Sequence, residues 1–348
     1  MLALQAITPQ ALAHVCSVLT PAEARKIVAA VHRDATADEV IGLRRAAKEA
    51  VRELGRVPRL ELRAERRSAL DPFVKFVLAA EDGHVFETVR IPLERRGRFS
   101  VCISSQVGCA LACAFCATGR LGLARNLEVW EMVEQVRVVR RTLEQGQRVR
   151  GVVFQGMGEP LANLERVVEA IQVMCDPSAL AIDARAITVS TSGLPGGIRQ
   201  LARSVPKVRL AVSVVSARAH VRRSLMPIDA RHSLDEVIDA TEEHARATGL
   251  SPMWAIALLG GVNDSEEDAR ALAALARRFE ARTSIRPRLS IVPYNAIDGA
   301  PFVRGDVARF AGTLAALGLR AHVRYSGGAD VAAACGQLVG GDLASIVS

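Results

Sequence analysis

Aromatic side chains are scarce in this chain. Trp and Tyr occur twice each and Phe nine times, 4% of 348 residues, so Val, Leu, Ile and Ala must fill whatever core it builds. Long apolar runs are missing as well, and no stretch approaches the ~18 uninterrupted apolar residues expected of a membrane-spanning helix. Met1–Thr20 lacks a basic start followed by an apolar segment, so no secretory signal peptide is expected. A disulfide framework is not expected either, because the seven cysteines are odd in number and three of them crowd into one loop. The expectation is a soluble protein of a reducing, cytoplasmic compartment with no membrane partner.

Apolar residues are plentiful, at 50% of the chain. That suffices for an α/β barrel with a small appendage. Lys+Arg 45 against Asp+Glu 37 leaves a net charge of +8, which suits a polyanionic partner. Arg-rich composition alone gives the same balance, so charge does not identify the partner.

Taken in order, residues 1–60 predict a peripheral helical region. Thr20, Pro21 and Glu23 stand at the N-cap, first and third positions of a helix start. The charged residues from Thr36 to Leu54 follow helical spacing and read as a solvated face. Residues 61–100 change to alternation, with Asp82-Gly83 as a hairpin turn between an apolar run from Phe73 and a return strand from Val85 that carries Glu87. They predict a short antiparallel β element. Residues 101–348 then alternate strands and amphipathic helices, which indicates an α/β fold with a parallel sheet. Periodicity does not decide whether that sheet closes into a barrel. In either case chemistry gathers at the C-terminal ends of the strands.

Cys109, Cys113 and Cys116 form C-x3-C-x2-C between the first of those strands and its helix. Three thiolates on one tight loop can hold three corners of a [4Fe-4S] cube, leaving one iron open to a further ligand. That arrangement resembles the radical S-adenosylmethionine (SAM) enzymes, in which the open iron chelates SAM. A structural zinc loop or buried thiols remain as alternatives.

Polar residues recur where the strands end. Gly156-Met157-Gly158-Glu159-Pro160 follows the second strand, and its glycines let backbone approach a ligand closely. Glu159 is there a candidate acceptor for the SAM ammonium. Ser190 ends the third strand, Ser213, Val214 and Val215 the fourth, and Asn295 the sixth. Cys102 and Cys335 lie outside the cluster spacing, and Cys16 and Cys175 read as buried small hydrophobes. Arg120, Arg125, Arg218, Arg222 and Arg223 are candidate contacts for a polyanion.

In combination, Cys102–Gln106, the cysteine loop, Arg125-Asn126-Leu127, the Gly156–Pro160 and Ser190–Gly193 motifs, Gly261–Asp264 and Ala334–Leu338 resemble the radical-SAM adenine methyltransferases of RNA. The resemblance runs from about Asp71 to the C-terminus. It implies a partial (β/α)6 radical-SAM barrel, a [4Fe-4S] cluster, SAM as methyl and radical source, and an electron donor such as flavodoxin or ferredoxin. It implies RNA as partner, ribosomal or transfer, with C2 of an adenine as the target and C8 as the family's alternative. Cys109, Cys113 and Cys116 match its cluster ligands. Cys335 matches the cysteine that is methylated and, as a methylene radical, attacks the ring. Cys102 matches the thiol that resolves the adduct by a disulfide with Cys335, and Glu87 matches the proton acceptor. Gly158, Glu159, Ser190, Ser213, Val214, Val215 and Asn295 match SAM contacts. Val215 stands where the family usually has His, and Ser326–Asp330 replaces an Arg-Gly-Asp-Asp-like run. A radical-SAM enzyme of a small molecule and a non-catalytic RNA-binding relic are the rival classes.

Overall fold

The computed structural model describes residues 1–36 and 39–340. Its N-terminal part comprises β1 (Leu2–Ala3), α1 (Pro9–Val15), α2 (Pro21–Val31), α3 (Arg45–Leu54) and β2 (Gly55–Arg56). Thr20 caps α2 reciprocally: its hydroxyl accepts from Glu23 N at 3.2 Å, and Glu23 accepts from Thr20 N at 3.0 Å, which satisfies two otherwise orphaned donors. Residues 37 and 38 of the charged stretch lie outside the described residues; α3 begins at Arg45, after Gly42 turns the chain in a left-handed conformation. Leu12, Ile27, Val28, Val31, Ala47 and Val51 bury a small core of their own. Arg137, on a barrel helix, reaches into this region and donates to Val31 O and Asp34 Oδ1, each at 2.7 Å.

The antiparallel strands β3 (Glu61–Arg67), β4 (Val74–Ala79) and β5 (Val85–Pro92) precede β6 (Arg98–Ile103). A short hairpin follows, β7 (Gln106–Gly108) and β8 (Leu123–Asn126), enclosing the single turn α4 (Ala117–Arg120). Next come α5 (Val129–Arg141), β9 (Arg148–Phe154), α6 (Leu164–Cys175), β10 (Ile187–Thr191), α7 (Pro195–Ser204) and β11 (Arg209–Ser213). The chain continues through α8 (Ala219–Leu225), α9 (Leu234–Thr248), β12 (Met253–Leu258), α10 (Glu266–Thr283), β13 (Arg288–Pro293), α11 (Val307–Ala316) and β14 (Ala321–Val323).

One 10-stranded sheet runs β14-β13-β12-β11-β10-β9-β6-β5-β4-β3. From β6 to β14 every neighbouring pair is parallel. The strands β3, β4 and β5 are therefore not a separate element: β5 pairs antiparallel with β6 and extends the same sheet. Both edges, β3 and β14, remain unpaired with each other, so this is an open, partial barrel. Alternation along the strands separates two faces. Val152, Phe154, Val189, Leu210, Val212, Trp254, Ile256 and Ile291 share one buried core with helix residues such as Val133, Val167, Leu201, Ile238 and Phe279. Cys102, Ser190, Ser213, Ala255 and Ser290 alternate with them and face the lumen. Among the described residues no helix is long and apolar enough to cross a membrane.

Candidate active site

The cysteine loop hangs from the β7–β8 hairpin. Cys109 N donates to Gly122 O at 2.7 Å, and a side chain at Gly108 would collide with that same carbonyl. Glycine is required there, at φ +77°. Cys116 N donates to Cys113 O at 3.1 Å and Ala114 N to Leu225 O at 2.9 Å, which ties the loop to α8. Val215, Val221, Leu225, Met226, Leu259 and Tyr294 form an apolar shell with Cys113. Burial first, with neighbouring sulfurs adding to it, pushes the Cys109 thiol up to about 11 and Cys113 up to about 12. Cys116 is raised for the same reasons, burial first. Three adjacent buried thiolates repel one another unless a multiply charged iron group lies among them, and this donor set fits a [4Fe-4S] cluster. No three His, Cys, Asp or Glu side chains among the described residues, the loop cysteines included, converge as a single-ion site, so the loop does not present the four close ligands of a structural zinc.

Glu159 lies beside this loop and is almost without solvent contact. Its carboxylate accepts from Leu161 N at 3.0 Å and Ser192 N at 2.8 Å, joining the ends of β9 and β10. Burial raises its pKa despite those bonds. Packing also requires glycine at Gly156 and Gly158. A Cβ at Gly156 would lie 2.7 Å from the Ile103 backbone, and one at Gly158 2.5 Å from Gln106 Cβ. The glycines let the loop close on the base of the cysteine hairpin.

Ser190 is buried on β10 and Ser213 half-buried at the end of β11. The carbonyls beyond them are already engaged: Arg222 Nη1 donates to Ser213 O at 2.6 Å and Val214 O at 2.7 Å, and Asn263 Nδ2 donates to Val215 O at 2.8 Å. Val215 itself sits at φ +60°, a strained conformation for a β-branched residue. Arg222 also donates to Ser192 O at 2.8 Å. It is a buried staple between two strand ends, not a contact for a polyanion. Arg125 is likewise committed, to Asp82 and Glu131, and Arg218 to Glu267 and Asp268.

Cys102 is buried on β6, and burial pushes its thiol up to about 12, with Cys335 close enough to contribute and Arg324 opposing. Cys335 also raises Cys116, and its neighbour Gly336 accepts from Ala117 N of the cluster loop at 2.8 Å. Asn295 Nδ2 donates to Cys335 O at 3.1 Å and to Ser326 Oγ at 2.7 Å. This residue secures the C-terminal segment. Glu87 is fully buried, paired with Lys75 at 3.0 Å, and accepts from Val339 N at 3.0 Å. All seven cysteines are free thiols. The Cys102–Cys335 disulfide implied by the resemblance is thus not a bond of this structure, in which both residues are free thiols.

Three residues of the site escaped the sequence reading. Arg324 Nη1 donates to Gln155 Oε1 at 2.7 Å and stands 4.0 Å from Cys335 Sγ. Ser192 supports Glu159 and bonds Cys113. Lys75 offered a signal, a single cation inside an apolar strand, because such a charge is buried only with a partner.

Residues 103–276 match the Radical SAM superfamily. The chain is 55% identical to a probable RNA methyltransferase of Sorangium cellulosum, over 95% of this chain and 90% of that one. It is 41% identical to a probable dual-specificity RNA methyltransferase RlmN of Gloeobacter violaceus, over 78% of this chain and 75% of the relative. The crystal structure of a radical SAM methyltransferase from Sphaerobacter thermophilus matches with a TM-score of 0.88 at 34% identity, covering 98% of this chain and 100% of that one.

Proposed function

This chain belongs to the radical SAM RNA methyltransferases, and on that footing we propose that it methylates C2 of an adenine in ribosomal or transfer RNA by way of Cys335. As a member of the family it works with a [4Fe-4S] cluster and SAM. Cys109, Cys113 and Cys116 would hold the cluster, with Glu159, Ser190 and Ser213 beside it for SAM. When bound, these groups supply a methyl cation equivalent and a hydrogen-abstracting radical.

The observation that carries the reading is that the segment of Cys335 bonds the cysteine loop, Ala117 N donating to Gly336 O at 2.8 Å. C2 of adenine is not nucleophilic, so direct methyl transfer to it fails. A thiolate accepts a methyl group readily, and Cys335 is placed to do so beside the cluster loop. Once the sulfur-bound carbon is joined to the ring, the adduct passes one electron back to the donor couple, the ring hydrogen leaves as a proton, and Glu87 takes it. Cys102 then attacks the sulfur of Cys335. The carbon–sulfur bond breaks, the carbon takes up a proton as the methyl group, and a transient disulfide remains for reduction.

An RNA substrate is supported by the opposite rim of the sheet. Arg148, Arg209 and Arg288 begin three of the parallel strands, and Arg320 directly precedes a fourth; all are exposed and carry no ion pair among the described residues. Exposed guanidinium groups suit phosphates. A cytoplasmic location and an electron donor such as flavodoxin or ferredoxin belong to the same proposal. Nucleoside mass spectrometry of RNA from a deletion strain tests it. Loss of 2-methyladenosine, restored by the intact gene, is the expected result. Loss of an 8-methyl or non-adenine product would overturn the assignment of C2.

A further inference from the structure

The segment that carries Cys335 has almost no regular structure beyond the single turn Ala329–Val331. Its position depends on individual bonds, and two of them come from a buried ion pair in the antiparallel part of the sheet. Lys75 Nζ lies 3.0 Å from Glu87 Oε1, and both side chains are sealed from solvent. Lys75 also donates to Ala332 O at 3.3 Å, and Val339 N donates to Glu87 Oε2 at 3.0 Å. The pair therefore grips the chain three residues before Cys335 and four residues after it. On its other side the segment bonds the cysteine loop, where Ala117 N donates to Gly336 O at 2.8 Å and Thr118 Oγ1 to Leu338 O at 2.6 Å.

We propose that Lys75 is a positioning residue and that Lys75 and Glu87 act as one clamp, bracketing Cys335 and holding it between the lumen and the cysteine loop. The proposal rests on the reading that Cys335 and Glu87 take part in the reaction. A charged donor and a charged acceptor make stronger bonds to backbone than neutral groups do. Each partner also keeps the other from being an uncompensated buried charge. Register places the clamp in the site: Lys75 pairs with Val89, and Val89 with Cys102, across three neighbouring strands. The same carboxylate that is placed to accept a proton thus also holds the segment bearing the reactive sulfur. Taking up that proton would remove its charge and loosen the grip at Val339, at the stage when Cys335 must be surrendered to Cys102.

The test is hydrogen-exchange mass spectrometry of the full chain with its cluster, following the peptide over 329–340 in Lys75→Met, Glu87→Gln and the double variant. Each single variant is expected to raise exchange in that peptide by about tenfold or more while strands β9–β12 keep their protection. The double variant should exchange no faster than the faster single one, because both act through one clamp. Unchanged exchange, or effects that add, would overturn the proposal. If Lys75→Met does not fold, the neutral and nearly isosteric Glu87→Gln must still raise exchange at Val339, or the clamp is refuted. The Lys75 variant should also bind RNA within about threefold of wild type while methylating Cys335 about tenfold more slowly, a split that general unfolding does not produce. A wild-type enzyme that never methylates Cys335 would defeat the proposed function and leave the exchange result to decide the clamp.

Discussion

Arg222 and Asp229 form an ion pair, Nε to Oδ1 at 3.0 Å, with both side chains essentially cut off from solvent. The remaining guanidinium nitrogens bond the carbonyls of Ser192, Ser213 and Val214. One side chain thereby fixes the ends of β10 and β11 at the floor of the cysteine loop. Arg222→Met should leave buried Asp229 with only the more distant Arg223, at 3.6 Å, and cost roughly 2–4 kcal/mol. Urea denaturation would measure that loss. RNA affinity of the folded variant should stay at the wild-type level, in contrast to what a phosphate contact would show.

Cys113→Ala should abolish cluster incorporation and keep the fold, because the β7–β8 hairpin is held by backbone bonds that the thiol does not make. Iron and sulfide analysis after anaerobic reconstitution checks it, together with 5′-deoxyadenosine formation. Full SAM cleavage by that variant would show that the loop is not the cluster site.

The two lumen cysteines should fail differently. Cys335→Ala takes no methyl group and should release RNA unchanged. Cys102→Ala should still methylate Cys335 and attack the base, so it should be purified with RNA attached, as a denaturant-resistant and ribonuclease-sensitive band shift. Two inert buried thiols predict no such species.

RNA binding should weaken by roughly a hundredfold or more between 50 and 200 mM salt if several phosphates are contacted. Arg209→Ala with Arg288→Ala should reduce the slope of log affinity against log salt by about 2. Filter binding over a salt series measures both. A flat response would favour a small-molecule substrate.

His32 lies where the N-terminal helices meet the barrel, and neither ring nitrogen has a hydrogen-bond partner. Burial, then the nearby Arg137 and Arg140, lowers its pKa from 6.5 to about 3. Below pH 6.5 the unfolded chain binds a proton at this site that the folded chain refuses. Stability should therefore fall as pH drops from about 6.5 towards 3, by up to about 1.4 kcal/mol per pH unit from this residue. His32→Leu removes that contribution, and the two denaturation curves should converge or cross as the pH is lowered.

Much of the site could be read without coordinates, because its signals are local. The spacing of Cys109, Cys113 and Cys116 is a property of one loop, and the Thr20 cap a property of one helix start. The strand-to-helix rhythm after Arg98 reports burial of one face of each strand. What escaped was contact between residues distant in the chain. Lys75, Glu87 and Val339 come together only because β4, β5 and the C-terminal segment meet. Arg222 looked like surface charge until the ends of β10 and β11 closed over it. Nor could the chain order show that Ile103 and Gln106 leave no room for side chains at Gly156 and Gly158.

The sequence by itself determined the local devices, a three-thiol loop, a helix cap and polar strand ends, and its resemblance to a family carried the chemistry expected of them. Tertiary structure alone decided how the parts are held. It joined the antiparallel strands to the barrel sheet, turned Asn295 to the Cys335 carbonyl, and set a buried ion pair astride the segment of Cys335. Spacing along the chain specifies local geometry, whereas charge pairing and close packing depend on which distant elements fold against one another.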